Sequence, residues 1–192
     1  MQKRIYSFII VLAISFSSIG IAQAEKQGYW SWLFTFKRQK EIVPVTDELF
    51  LEECGACHFP YQPGWLPEAS WKKLLSAKGL ENHFKENAEL EETDRLHILN
   101  VLVSGSAEKS RFKRSKKIMS TMHNYKGEGG SPLRITETPY IKNKHRKVVE
   151  DIIKPDNKLK SLSYCDKCHQ KANDADFDDD TVRIPGFPDY KF

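Results

Sequence analysis

Two short stretches decide the structure of this chain: Cys54-Gly55-Ala56-Cys57-His58 and Cys165-Asp166-Lys167-Cys168-His169. Each is a Cys-x-x-Cys pair followed at once by a histidine, which is the signature of c-type haem attachment through two thioether bonds. The adjoining histidine then lies close enough to bind the haem iron. The predicted thioether cysteines are Cys54, Cys57, Cys165 and Cys168, and the predicted proximal iron ligands are His58 and His169. The sequence therefore predicts two covalently bound haem c groups.

Other uses of four cysteines explain the pattern less well. A zinc site of four cysteines accepts both pairs but leaves the two adjoining histidines without a role. A thioredoxin-like disulfide requires its Cys-x-x-Cys at a helix start inside a βαβ unit. Here prolines at 60, 63 and 67 follow the first pair, and no run of β-branched residues precedes it. Structural disulfides across such short loops would constrain little of the unfolded chain.

Each iron also has a distal axial position, and each half of the chain offers one histidine for it. His83 lies 25 residues after His58, and His145 lies 24 residues before His169. Both separations allow the chain to return around one haem group. We therefore predict His83 and His145 as the distal ligands. Spacing does not decide which haem each one serves, so crossed ligation stays open.

Four further side chains are alternatives for a distal position. His97 lies inside a predicted helix and is interpreted as an ordinary helix residue, while His123 is the reserve candidate. Ligation by Met119 or Met122 would raise the reduction potential of that haem relative to two histidines.

The first 24 residues are typical of a secretory signal peptide. Lys3 and Arg4 give a positive start, 5–21 is a mostly apolar run, and Ala22-Gln23-Ala24 is a small-residue cleavage site. The alternative is an uncleaved anchor helix, but the run is at the short end of a membrane span and the cleavage site follows it at once. We expect cleavage after Ala24 and a periplasmic mature chain of 192 − 24 = 168 residues.

Composition excludes several broad classes of protein. Hydrophobic residues make up 40% and charged residues 29% of the chain, so it is neither disordered nor collagen-like. The net charge of 30 − 26 = +4 is too small to indicate nucleic-acid binding. Four cysteines are too few for a disulfide scaffold.

The predicted organisation is mainly α and loop-rich, with two small lobes that are each built around one haem. The predicted segments are the signal peptide 1–24, an aromatic and basic N-terminal arm 25–40, a first haem lobe 41–105, a basic, glycine-rich linker 106–131 and a second haem lobe 132–192. The arm is interpreted as a cover over the haem core, with peripheral membrane contact as the alternative. The basic run 109–117, which includes Lys113 and Arg114, is either a docking patch for an acidic partner or a solvated linker.

Local patterns add three expectations. A helix opening after Pro67 should bury Trp71, Leu74 and Leu75. A second helix, opening at 91–94 with acidic residues and ending at Gly105, has a predicted apolar face of Leu96, Leu99, Leu102 and Val103. The proline-rich loop 59–67 should wall the first haem with Tyr61 and Trp65.

The sequence resembles the dihaem cytochrome c (DHC) family of small exported electron carriers. The resemblance rests on the segments 52–59, 61–64, 83–88, 132–140, 144–146, 176–180 and 182–185, whereas 27–40 departs from the family pattern. It implies two low-spin haems with two histidines each, with His83 and His145 matching the family's distal histidines. It also implies electron exchange with a small monohaem cytochrome and a membrane b-type cytochrome.

We therefore expect a periplasmic dihaem electron carrier, not an enzyme, that works by outer-sphere transfer. With two imidazoles on each iron, no coordination site is left for a substrate. The alternative is a haem enzyme or gas-binding protein, similar to a peroxidase or a sensor, with one open or labile axial position.

Overall fold

The computed structural model describes residues 42–154, 157 and 159–190. The predicted signal peptide and N-terminal arm lie outside the described residues. The described chain is helical and loop-rich, with no β-strand within it and two isolated bridges, His83 with Glu86 and His169 with Val182. The mainly α, loop-rich prediction is confirmed. No helix within this part of the chain is long and apolar enough to cross a bilayer.

Eight helices follow one another through the described residues. They are α1 (Glu48–Gly55), α2 (Glu68–Leu74), α3 (Ala77–Glu81), α4 (Glu92–Ser104), α5 (Lys113–Thr121), α6 (Pro139–Lys144), α7 (Arg146–Asp151) and α8 (Cys165–Cys168). Single 3₁₀ turns separate several of them, including Pro63–Trp65 and Ala172–Asp174. Most of these helices are too short to be stable alone, so packing must hold them.

The main hydrophobic core takes side chains from both halves of the described chain. It begins at Ile42 and extends to Phe177, whose ring packs edge-on against Trp65 with 4.8 Å between ring centroids. Buried Gln62 adds a polar link, because its amide nitrogen donates to the Ala172 carbonyl at 3.0 Å and its amide oxygen accepts from the Trp65 indole. These contacts fasten the proline-rich loop to the segment that follows the second motif.

The two helices predicted from sequence are present, with one error in the buried face. α2 buries Trp71 and Leu74 as predicted. In α4, however, Leu96 is 49% exposed, and Ile98 is fully buried together with Leu102. Two positions apart on a helix are about 200° apart at 3.6 residues per turn, so Leu96 and Ile98 lie on opposite faces. The prediction for Leu96 is therefore wrong.

The segment 106–131, predicted as a linker, contains the helix α5. Its Ile118 side chain is fully buried, and α5 packs against α6 and the turn Pro63–Trp65. Exposed lysines alternate with this buried face, which gives the helix an amphipathic pattern. The segment is thus packed on the core, while the lobe boundaries on either side stay predictions.

Replacing Ile118 with alanine should lower the free energy of unfolding by about 2–5 kcal/mol, because a fully buried isoleucine would leave a cavity. The matched control is Lys116→Ala on the exposed face of the same helix, which should change it by less than about 0.5 kcal/mol. Denaturant unfolding followed by circular dichroism measures both. Equal stability of the two variants would contradict the packing of α5.

Candidate functional site

The first motif lies at the end of α1. The carboxylate of Asp47 caps the start of this helix by accepting from the Phe50 amide at 2.9 Å, and the Phe50 side chain is buried. Cys54 falls in the last turn, so the helix ends just as the motif begins, and Cys57 and His58 follow at the surface. The cap and the buried ring thus fix the helix that carries the motif.

His83 is presented by a tight turn after α3. The backbone amide and carbonyl of His83 pair with those of Glu86 at 2.8 and 3.2 Å. Phe84 and Lys85 between them have φ of 56° and 84°, a left-handed conformation that costs L-residues about 1–2 kcal/mol each. The Asn82 side chain supports the turn by accepting from the Lys85 amide. Such strained turns are retained where they position a functional group.

The ring centroids of His58 and His83 are separated by a distance that suits one metal ion between the two imidazoles. Their centroids are 6.1 Å apart and their planes differ by 17°. Two metal–imidazole bonds of about 2 Å each, as found for zinc, account for about 4 Å of that separation. The distance from each bonded nitrogen to its ring centre accounts for the rest.

The second motif forms α8, and His169 follows it directly. The His169 amide donates to the Cys165 carbonyl at 2.8 Å, and the Arg183 amide donates to the Cys168 carbonyl at 2.9 Å. His145 lies at the junction where α6 ends and α7 begins. The rings of His145 and His169 are also 6.1 Å apart, but their planes differ by 73°. The same spacing is thus produced by unrelated local structures.

The structure brings together each motif and the predicted distal histidine of its own half. His83 lies beside His58 and His145 lies beside His169, so the structure favours ligation within each half over the crossed arrangement that spacing left open. The reserve candidates lie elsewhere: His97 bonds to the Asp47 carboxylate at 2.8 Å, and His123 is exposed in a 3₁₀ turn. Met119 and Met122 pack, partly buried, against the main core.

In each pair, Nδ1 of one histidine is hydrogen-bonded to a backbone carbonyl, whereas Nδ1 of the other has no such partner. The Nδ1 atoms of His58 and His145 bond to the carbonyls of Phe59 and Ile141 at 2.8 and 3.0 Å. A proton on Nδ1 leaves the Nε2 lone pair free for a metal, as in most metal-binding histidines. In contrast, Nδ1 of His83 and of His169 is buried without a hydrogen-bond partner. Such exceptions often mark functional sites.

Burial favours the neutral form of three of these imidazoles, which is the form that binds a metal. Burial lowers the pKa of His169 to about 4, with a further contribution from nearby His145. Burial also lowers the pKa of His145 and of His83. The arrangement therefore favours ligation over proton exchange near neutral pH.

Two of the four thiols lie in surroundings that disfavour the thiolate form that redox and zinc chemistry require. None of the four is in a disulfide. Burial raises the pKa of Cys54 to about 11 and that of Cys165 to about 12, whereas nucleophilic or zinc-binding cysteines are thiolates. In the part of the chain described, no three His, Cys, Asp or Glu side chains form a group that could hold a metal ion. Uncharged thioethers suit these surroundings better.

A cleft with a mostly apolar lining surrounds the second pair. It contains about 1080 Å³ of space free of atoms, part of it open to solvent. The apolar part of its wall includes Ile135, Ile141, Val148, Leu159, Phe177 and Val182. By contrast, Cys57 and His58 of the first motif are exposed. The second site is therefore the more enclosed of the two.

Of the two aromatic side chains predicted to wall the first haem, Tyr61 lies at the first site and Trp65 does not. Tyr61 does lie beside His58, with ring centroids 5.4 Å apart, but it also lines the cleft at the second motif. Trp65 lines that same cleft and packs against Phe177 there. Its assignment to the first site is therefore corrected. Long-range packing through the main core, which has no local sequence pattern, is the physical reason.

Two arginines near the sites were not predicted as site residues. The Arg134 guanidinium lies 3.8 Å from the centre of the Phe84 ring, next to His83. Arg114, which sequence placed in the surface patch, donates to the Phe177 carbonyl at 2.7 Å and lines the second cleft. Cations at these positions suit the carboxylates of a haem group. The sequence shows that both residues carry a positive charge, but not that they lie near the sites.

Two Cys-x-x-Cys-His motifs, each facing a second histidine in a small helical fold, define a protein that holds two haem groups. The profile of the dihaem cytochrome c family matches residues 50–177. The chain belongs to this family of electron-transfer cytochromes.

Two solved structures are similar to this chain. A dihaem cytochrome c from Shewanella baltica is 29% identical, with a TM-score of 0.58, covering 75% of this chain and 97% of that one. A dihaem cytochrome c from Rhodobacter sphaeroides is 34% identical, with a TM-score of 0.52, covering 68% of this chain and 96% of that one. Among curated proteins, no match is found.

Proposed function

We propose that this protein is a periplasmic dihaem c-type cytochrome that carries electrons by outer-sphere transfer through two haems, each with two histidine ligands. The observation that carries the proposal is the pair of facing imidazoles at each motif, 6.1 Å apart in both cases. Cys54, Cys57, Cys165 and Cys168 would supply the thioether bonds. His58 and His83 would hold one iron, and His169 and His145 the other.

The bound haems would supply one-electron redox chemistry, and the chain would set its conditions. Ligand identity, burial and nearby charge are the means by which a protein tunes haem potential. The two sites differ in burial, because Cys57 and His58 are exposed whereas the His145–His169 pair lines a mostly apolar cleft. We therefore infer two different potentials in one molecule.

With both axial positions of each iron filled, the protein would have no site for a bound substrate. This supports a carrier, not an enzyme or a gas-binding protein. The test is to add carbon monoxide to the reduced protein and to record the visible spectrum. An unchanged spectrum is expected. A shifted Soret band would show an open or labile axial position and would favour the alternative of a haem enzyme or sensor.

The two imidazole pairs should give two different electron paramagnetic resonance signals. In low-spin ferric iron the upper pair of the occupied d orbitals holds three electrons. Nearly parallel rings would act on one orbital of that pair and split the two in energy, whereas nearly perpendicular rings would act on both and leave them close in energy. The first site, with 17° between planes, should therefore give a rhombic low-spin signal. The second, with 73°, should give a strongly anisotropic one. Two identical signals would contradict these orientations.

We further propose export after cleavage at Ala24 and exchange with redox proteins, namely a small monohaem cytochrome and a membrane b-type cytochrome. Export is supported by the leader sequence, and these partners by the family. Two cations of the proposed basic docking patch are engaged elsewhere. Lys109 is paired with Glu68 at 2.8 Å and Arg114 faces the second cleft. Lys113 and Lys117 stay exposed beside Lys144, close to that cleft.

Reversing the charge of Lys113 and Lys117 together to glutamate should slow electron transfer to an acidic monohaem cytochrome by about tenfold at low salt, since opposite charge speeds encounter. The difference should shrink as ionic strength rises. Stopped-flow absorbance measures the rate. Lys126→Glu, which changes an exposed lysine beyond α5, is the control. Equal rates for both variants at low salt would contradict the docking patch.

A further inference from the structure

One side chain, Tyr61, contacts both histidine sites. Its ring lies 5.4 Å from the ring of His58, and the two planes are tilted by 35°. Its hydroxyl donates a hydrogen bond to the backbone carbonyl of Ser163, which is 102 residues away in sequence and two residues before Cys165. The same side chain lines the cleft that contains His169.

The surroundings of Tyr61 hold it in this bridging position. The Phe59 ring packs edge-on against it, with centroids 5.4 Å apart and planes at 79°. The next residue, Gln62, is buried and donates to the Ala172 carbonyl at 3.0 Å. Tyr61 therefore fastens the first site to the segment before the second motif, and Gln62 fastens it to the segment after that motif.

We propose that Tyr61 is the positioning residue that couples the two haem sites for electron exchange within the molecule. Its ring contacts the His58 ring, and its hydroxyl bonds to the peptide that leads to Cys165. The distance and the orientation between the two sites are thereby fixed. In the exchange, one electron leaves one site and is gained by the other. Tyr61 keeps its hydroxyl proton and its oxidation state. The inference rests on the proposed function.

The two parts of the side chain should contribute separately. The ring contacts His58 and lines the cleft of the second site, whereas the hydroxyl ties the ring to Ser163. Tyr61→Phe keeps the ring and removes the hydrogen bond. Tyr61→Leu removes both. The control is Tyr125→Phe, which removes the hydroxyl of a half-buried tyrosine whose charged neighbours are Glu128 and Glu137.

The experiment measures how fast one electron distributes between the two sites. Oxidised protein is mixed with less than one equivalent of a fast one-electron donor and is frozen after increasing delays. Electron paramagnetic resonance then gives the oxidised fraction of each site from its own low-spin signal. Relative to wild type, Tyr61→Leu should slow the redistribution by about tenfold or more, as expected when a positioning group is lost. Tyr61→Phe should slow it by a smaller factor, and Tyr125→Phe should not change it.

A second readout is the signal shape of the first site. It should change in Tyr61→Leu, because His58 loses its neighbour, and should stay unchanged in Tyr61→Phe. Redistribution at the wild-type rate in Tyr61→Leu would overturn the inference. Should that variant fail to bind two haems, Tyr61→Phe decides: slower exchange supports the inference and an unchanged rate overturns it. A wild-type protein without two low-spin signals would instead overturn the proposed function itself.

Discussion

Replacing His145 with alanine should convert one of the two haems to a high-spin form that binds carbon monoxide, while the other haem stays low-spin. The ring centroids of His145 and His169 are 6.1 Å apart, so His145 is the side chain placed to occupy the distal position of the second iron. The variant should change the spin state of one iron completely and leave that of the other unchanged. Visible absorbance of the reduced protein, titrated with carbon monoxide, measures it.

His83→Ala should have the reciprocal effect at the first site, because His83 faces His58. His97→Ala is the control, since this side chain is exposed and bonds to Asp47. It should leave both haems low-spin. If His145→Ala instead opened the haem attached to Cys54 and Cys57, ligation would be crossed and the pairing described here would be wrong.

Removing the second attachment by Cys165→Ser together with Cys168→Ser should leave one haem per chain and strongly destabilise the fold. The second cleft is lined by apolar side chains that would lose their contacts with the haem. A ligand held by the native state at a thousand times its Kd stabilises it by about 4 kcal/mol. At 2–4 °C per kcal/mol for a chain of this size, the expected fall in Tm is about 10 °C or more.

The matched variant is Cys54→Ser together with Cys57→Ser. Its site is more exposed, so the loss of its haem should lower Tm less. Both motifs adjoin the main core, so the difference should come from the enclosure of the second cleft. Intact-mass measurement gives the haem count, and calorimetry gives Tm. Equal destabilisation by the two double variants would contradict the difference in burial.

The chemistry of the sites could be predicted from sequence because it depends on short motifs. Cys-x-x-Cys-His fixes three functional side chains within five residues, so no tertiary information is needed. The candidates His83 and His145 followed from their sequence separation from the motifs and from the family resemblance. The structure places each one beside the histidine of the motif in its own half. The angle between the rings could not be predicted, because turn geometry and neighbouring helices set it.

Features that depend on packing between distant segments were missed. Leu96 and Ile98 are both apolar, and the positions of α2, α1 and the turn Pro63–Trp65 decide which face of α4 is buried. The charges of segment 109–117 concealed Ile118, which packs in the core. Trp65 lies near the first motif in sequence but meets Phe177 in space. In each case the partner is more than a dozen residues away, where periodicity carries no information.

The proposed function depends on two haem irons per chain, each held by two histidines. Spin quantitation of the oxidised protein by electron paramagnetic resonance tests this most directly. Two low-spin ferric haems per chain and no high-spin component are expected. A high-spin signal of one spin per chain, or a total of one haem, would contradict the proposed function.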